Sequence, residues 1–98
     1  MITAINHRLV TDEAYFQISH VLWDTITEFQ KTGPAVNSVS ANNQVVDIIV
    51  LADDEDPNGV KVRLYSQKAD TYKTTYIDLV NPEDDTEETV GIVLGMLS

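Results

Sequence analysis

The chain contains no cysteine. That absence removes disulfides, thiolate nucleophiles and cysteine-based zinc sites together. Three prolines and four glycines are all the backbone punctuation there is. The glycines, at 33, 59, 91 and 95, are too scattered for a phosphate-cradling loop. The longest apolar runs, Val45–Ala52 and Val90–Leu97, fall far short of the roughly 20 residues that span a bilayer. The first ten residues, MITAINHRLV, lack a basic segment followed by a long apolar one, so no signal peptide is expected. These features together predict a soluble, cytoplasmic protein. Positive charge is also scarce, with only six Lys and Arg residues.

What the chain has instead is acid. Sixteen Asp and Glu residues give a formal net charge of −10 over 98 residues. Much of the excess sits in two clusters, Asp53-Asp54-Glu55-Asp56 and Glu83-Asp84-Asp85-Thr86-Glu87-Glu88. A field of this sign repels nucleic acid and anionic membrane surfaces and attracts cationic ones. Adaptation to high salt also yields acidic, lysine-poor surfaces, but it scatters the charge rather than clustering it. The hydrophobic fraction of 43% supports a folded core, and the length corresponds to one domain over 1–98.

The strongest element is a helix over Thr11–Thr32. Thr11 reads as its N-cap, with Asp12 and Glu13 at the positive end. Tyr15, Ile18, Leu22, Ile26 and Phe29 form one apolar stripe at helical spacing. Glu13, Gln17, His20, Asp24, Glu28 and Lys31 fill the opposite face, and Gly33-Pro34 stops the helix. Residues 1–10 read as a short strand or an extended lead-in. Ala35–Ser40 is a weak first strand turning at Asn42-Asn43. Gln44–Ala52 is a near-continuous apolar run, which predicts a central strand covered on both faces. Asp56-Pro57-Asn58-Gly59 is a turn. Val60, Val62 and Leu64 then alternate with Lys61, Arg63 and Tyr65. In Thr71–Val80, Tyr72, Thr74, Tyr76 and Asp78 share one face. Asn81 as N-cap and Pro82 at the first helical position open a short C-terminal helix. Its Gly91 and Gly95 predict close packing against another backbone. The expected fold is α+β in two layers, with two helices against an antiparallel meander of three or four strands.

Chemical motifs are few. Asp54-x-Asp56-x-Asn58-Gly59 matches the first half of a calcium loop, but the twelfth position is Tyr65 rather than a bidentate Glu. A solvated acidic turn is the expected reading, and a small metal-assisted enzyme on this loop is the weakest of three functional ones. His7 and His20 lie in no metal-ligand spacing, and no carboxylate is expected to complete a set with them. No serine sits in a nucleophile elbow. No catalytic residue, cofactor or metal is assigned.

Two surfaces remain as candidate partner-binding sites. The first is the acidic pair of clusters, Asp53, Asp54, Glu55 and Asp56 with Glu83, Asp84 and Asp85. Carboxylates and phosphates both present anionic oxygens to Arg and Lys, so such a row can stand in for nucleic acid. The second is a sheet face carrying Arg63, Tyr65, Tyr72 and Tyr76, residue types favoured at interfaces. In size, acidity, absence of cysteine and mixed plan, the chain resembles the small inhibitors of phages and mobile elements. That class includes DNA-mimic proteins, uracil-DNA glycosylase inhibitors and anti-CRISPR proteins. The likeness is of class, without a shared motif, and it implies a non-enzymatic inhibitor of a basic, nucleic-acid-binding host protein. The partner expected is thus a basic protein surface, with no direct nucleic acid and no membrane, and a homodimer is compatible. The other reading is an acidic chaperone, immunity or assembly module that binds through the Tyr/Thr face.

Overall fold

The computed structural model describes residues 2–98, with side chains from Glu13 onward. Helix α1 (Ile2–Thr32) is followed by β1 (Ala35–Ala41), β2 (Gln44–Ala52), β3 (Gly59–Ser66), β4 (Thr71–Asp78) and α2 (Glu83–Leu97). The strands form one antiparallel sheet in the order β1-β2-β3-β4. This is the expected α+β layout, with four strands in the meander.

Helix α1 starts earlier than its sequence suggested. Residues 2–10 are helical, not a strand or lead-in, and Thr11 lies inside the helix rather than capping it. No Gly or Pro lies between Ile2 and Thr32, and adding residues to an existing helix is far cheaper than starting one. The C-terminus ends as expected. Gly33 adopts φ 95° and its N–H donates to the Phe29 carbonyl at 2.9 Å.

Alternation decides what the sheet buries. On β2, Val46, Ile48 and Val50 pair across with Ser66, Leu64 and Val62 of β3, and Val60 faces Ile77 of β4. The apolar side chains among these form one core with Ile18, Leu22 and Ile26 of α1 and Val90, Val93 and Leu97 of α2. Burying a side chain of this size is worth about 1.5–3 kcal/mol. Two polar links, one part-buried and one buried, fix the helices on that face. Asn37 Nδ2 donates to Thr25 Oγ1 at 2.8 Å, and the Thr75 and Thr89 hydroxyls lie 3.3 Å apart. At the hairpin end, Asn42 and Gln44 side-chain amides donate to the carbonyls of Leu97 and Ser98 at 2.9 and 3.0 Å. These bonds satisfy acceptors that the end of α2 leaves open.

Both helices cover the same face, so the expectation that β2 is covered on both sides fails. Its outer residues Val45, Asp47, Ile49 and Leu51 are only half-buried. Arg63 and Lys61 stand beside Ile49 and Leu51 in the register, and their alkyl stems can shield apolar neighbours without a second layer. The close approach expected at Gly91 and Gly95 is also absent. Both are exposed, and a Cβ added at either meets nothing within 4 Å. The N-cap of α2 is Pro82, one residue later than expected, and makes no side-chain cap bond.

Candidate functional site: an acidic pole

In an up-and-down meander, the exits of β2 and β4 lie at the same end of the sheet. The loop after β2 carries Asp53, Asp54, Glu55 and Asp56. The connection after β4 leads into Glu83, Asp84 and Asp85. One backbone bond ties these segments together: the Leu79 N–H donates to the Asn58 carbonyl at 2.9 Å. Within the second segment, the Asp78 N–H donates to Asp85 Oδ2 at 2.8 Å and holds the first turn of α2 against the end of β4. The structure therefore brings both acidic clusters to one pole. With Asp78, Glu87 and Glu88, that pole holds most of the sixteen acidic residues.

Local hydrogen bonds shape the first cluster. Asp53 Oδ1 accepts from the Glu55 N–H at 3.0 Å, and Asp56 Oδ1 accepts from the Asn58 N–H at 2.9 Å. The Gly59 N–H closes the turn on the Asp56 carbonyl at 3.2 Å. Glycine at 59 relieves a close approach, since a Cβ there would sit 3.1 Å from the Ile77 carbonyl oxygen. Asp54 and Glu55 are left exposed at the tip. Glu83 and Asp84 are exposed in the first turn of α2, where acids suit the helix dipole. A shallow hollow of about 360 Å³ beside them is lined by Val80, Asn81, Pro82, Glu83 and Asp84. Val80 is two-thirds exposed there, an apolar contact next to two carboxylates.

The calcium-loop pattern closes as a β-turn at this pole. Its twelfth position, Tyr65, lies near the far end of β3. Among the described residues, no group of three or more His, Asp or Glu is arranged to hold a metal ion. His7 lies outside the residues whose side chains are described. His20 does have a carboxylate one turn on, against expectation: its Nε2 is 3.3 Å from Asp24 Oδ2, and both side chains are well exposed. Among the described residues this is the one contact within 4 Å between a basic and an acidic side chain, so no described Lys or Arg pairs with the acidic pole.

The second candidate surface is the outer face of the sheet. Arg63, Tyr65, Tyr72 and Tyr76 all lie on it, as the alternation implied. Tyr65 and Tyr72 are direct cross-strand partners with ring centroids 4.5 Å apart, and the Arg63 guanidinium stands 4.4 Å above the Tyr72 ring. The Tyr65 hydroxyl donates to Asp70 Oδ1 at 2.7 Å. That bond, with some desolvation and the charge of Asp70, holds the Tyr65 phenol above its ordinary pKa. Tyr72 and Tyr76 are about half exposed.

The acidic pole lies at one end of the sheet and the tyrosines run along its outer face, with Tyr76 two residues from Asp78. Sequence reasoning named the residues of both but not the convergence of the two acidic clusters. The signal was present: strands at 44–52, 60–65 and 71–80 run up, down and up, which fixes both exits at one end.

Among the described residues, no helix is long and apolar enough to cross a membrane. No known protein family, curated protein or solved structure matches the chain.

Proposed function

We propose that this protein is a non-enzymatic inhibitor of the kind phages and mobile elements encode, which seats its acidic pole in the basic, nucleic-acid-binding groove of another protein. The observation that carries this reading is the joining of two acidic clusters at one pole, with no Lys or Arg within ion-pair distance of them among the described residues. Carboxylates held on short turns offer Arg and Lys side chains anionic acceptors in place of phosphates. The rigid sheet behind the pole keeps the row in shape, which lowers the ordering cost of binding. The action is stoichiometric occupation without turnover.

The test begins with a pull-down at low and high salt and proceeds with the purified basic partner and labelled duplex. The protein is expected to displace the duplex, with affinity falling steeply as salt rises. Replacing Asp53, Asp54, Glu55 and Asp56 by Asn or Gln should slow association. The amide oxygens keep the turn acceptors of Asp53 and Asp56, so the loop shape should survive. A ternary complex with the duplex retained, or binding indifferent to salt, defeats the proposal.

A second reading rests on the outer sheet face, which neither helix covers and where Arg63, Tyr65 and Tyr72 are stacked. It makes the protein an acidic chaperone, immunity or assembly module docking a protein partner there. Under that reading Tyr72→Ser abolishes binding and the charge-neutralised loop does not.

A further inference from the structure

Strand β1 is one free edge of the sheet and has none of the usual protections. It carries no charge, no proline and no bulge across its seven residues. From Pro34 to Val46 the chain has no charged side chain at all, the more notable in a molecule of net charge −10. Asn42 and Asn43 have φ 55° and 62°, the positive values of a two-residue type I′ hairpin turn. Such a turn makes Ala41 and Gln44 a hydrogen-bonded pair, so the ladder to β2 uses the main chain of Ala35, Asn37, Val39 and Ala41. The main-chain groups of Val36, Ser38 and Ser40 therefore point away from the sheet. Among the described residues, nothing hydrogen-bonds to them.

An apolar groove of about 590 Å³ runs along the same edge. Its walls are Ser38–Asn42 of the hairpin, Ile18 and Val21 of α1, and Leu94 and Leu97 of α2. An edge with unused main-chain groups beside an apolar groove is the geometry that accepts an added strand.

We propose that the added strand is β1 of a second copy, so that two sheets join antiparallel into one continuous sheet. The register is self-complementary. Ser38 faces Ser38 of the partner subunit, and Val36 faces Ser40 of the partner subunit, so every outward group finds its match. The charge distribution favours this partner. β1 starts at the acidic pole and ends at the hairpin, so antiparallel pairing sends the two poles to opposite ends and joins the copies along their uncharged stretch. Each groove is then roofed by the inner side of the partner's edge.

Sedimentation equilibrium on the full chain tests this. The mass should be about twice 10.9 kDa and the dimer should tighten as salt screens the like charges. Ser40→Lys, and independently Ser40→Pro, should halve the mass while leaving the far-ultraviolet circular dichroism unchanged. Tyr72→Ser on the outer face should leave the dimer intact. Because the chain has no cysteine, Ser38→Cys supplies a single thiol, and oxidation should join the copies through it. A monomer at every concentration, a dimer that survives both Ser40 variants, or one lost only with Tyr72→Ser overturns the proposal. The salt response separates this contact from the acidic pole, whose binding weakens with salt.

Discussion

Tyr65 illustrates how much a single side chain's chemistry depends on a turn. Its place on the outer face followed from the alternation Val60, Val62, Leu64 against Lys61, Arg63, Tyr65. Its bond to Asp70 did not, because that needs Asp70 held at φ 51° in the β3–β4 turn, a conformation no spacing rule specifies. The bond uses the neutral hydroxyl, so the folded phenol has the higher pKa, with the hydrogen bond as the first cause. A group raised in the folded state contributes stability below its unfolded pKa, near 10, and loses it as pH rises through the folded value. In a site-resolved alkaline titration, Tyr65 is therefore expected to ionise above the range of a free phenol. Asp70→Asn should lower its pKa. If Tyr65 ionises as a free phenol does in the unaltered protein, the bond is not held in solution.

Among the elements, the amphipathic stripe of α1 and the alternating strands β3 and β4 were legible because burial on one face leaves a period in the sequence. Ile18, Leu22 and Ile26 are buried, and Glu13, Gln17, His20, Asp24, Glu28 and Lys31 are exposed, as their spacing implied. The start of α1 was not legible, since Thr11 has the chemistry of a cap and nothing local says that the helix is already running. The cover over β2 was misread because a continuous apolar run looks the same whether its second face meets a helix or the stems of Lys61 and Arg63. Gly91 and Gly95 were misread for a related reason. Glycine in a helix signals either close approach or an unused surface, and here both lie on exposed helix with free space around them. Gly91→Ala and Gly95→Ala should therefore each raise stability by roughly 0.5–1 kcal/mol, the helix-propensity difference. Chemical denaturation measures this directly. A loss of stability on either change would mean that a backbone does pack there, as the sequence first suggested.

At the scale of the whole molecule, charge is distributed unevenly, and the unevenness has a thermodynamic signature. The acidic pole carries Asp53–Asp56, Asp78 and Glu83–Asp85 with no Lys or Arg paired to any of them among the described residues. Like charges held together by the fold repel one another less once the chain unfolds and spreads them apart. Stability should therefore rise as salt is added at low ionic strength, where the screening length falls from about 30 Å at 0.01 M to about 8 Å at 0.15 M. Neutralising the exposed tip with Asp54→Asn and Glu55→Gln should raise the low-salt Tm and flatten its dependence on salt. Among the described residues, neither side chain makes a hydrogen bond that the change would break. Whether such a pole has a use beyond solubility is decided by the same two substitutions. If the pole binds a basic groove, they should stabilise the protein and weaken its inhibition together, since the charges that repel at rest are those that pair on binding. A variant that is more stable and inhibits equally well would reduce the tip's acidity to a means of staying dissolved.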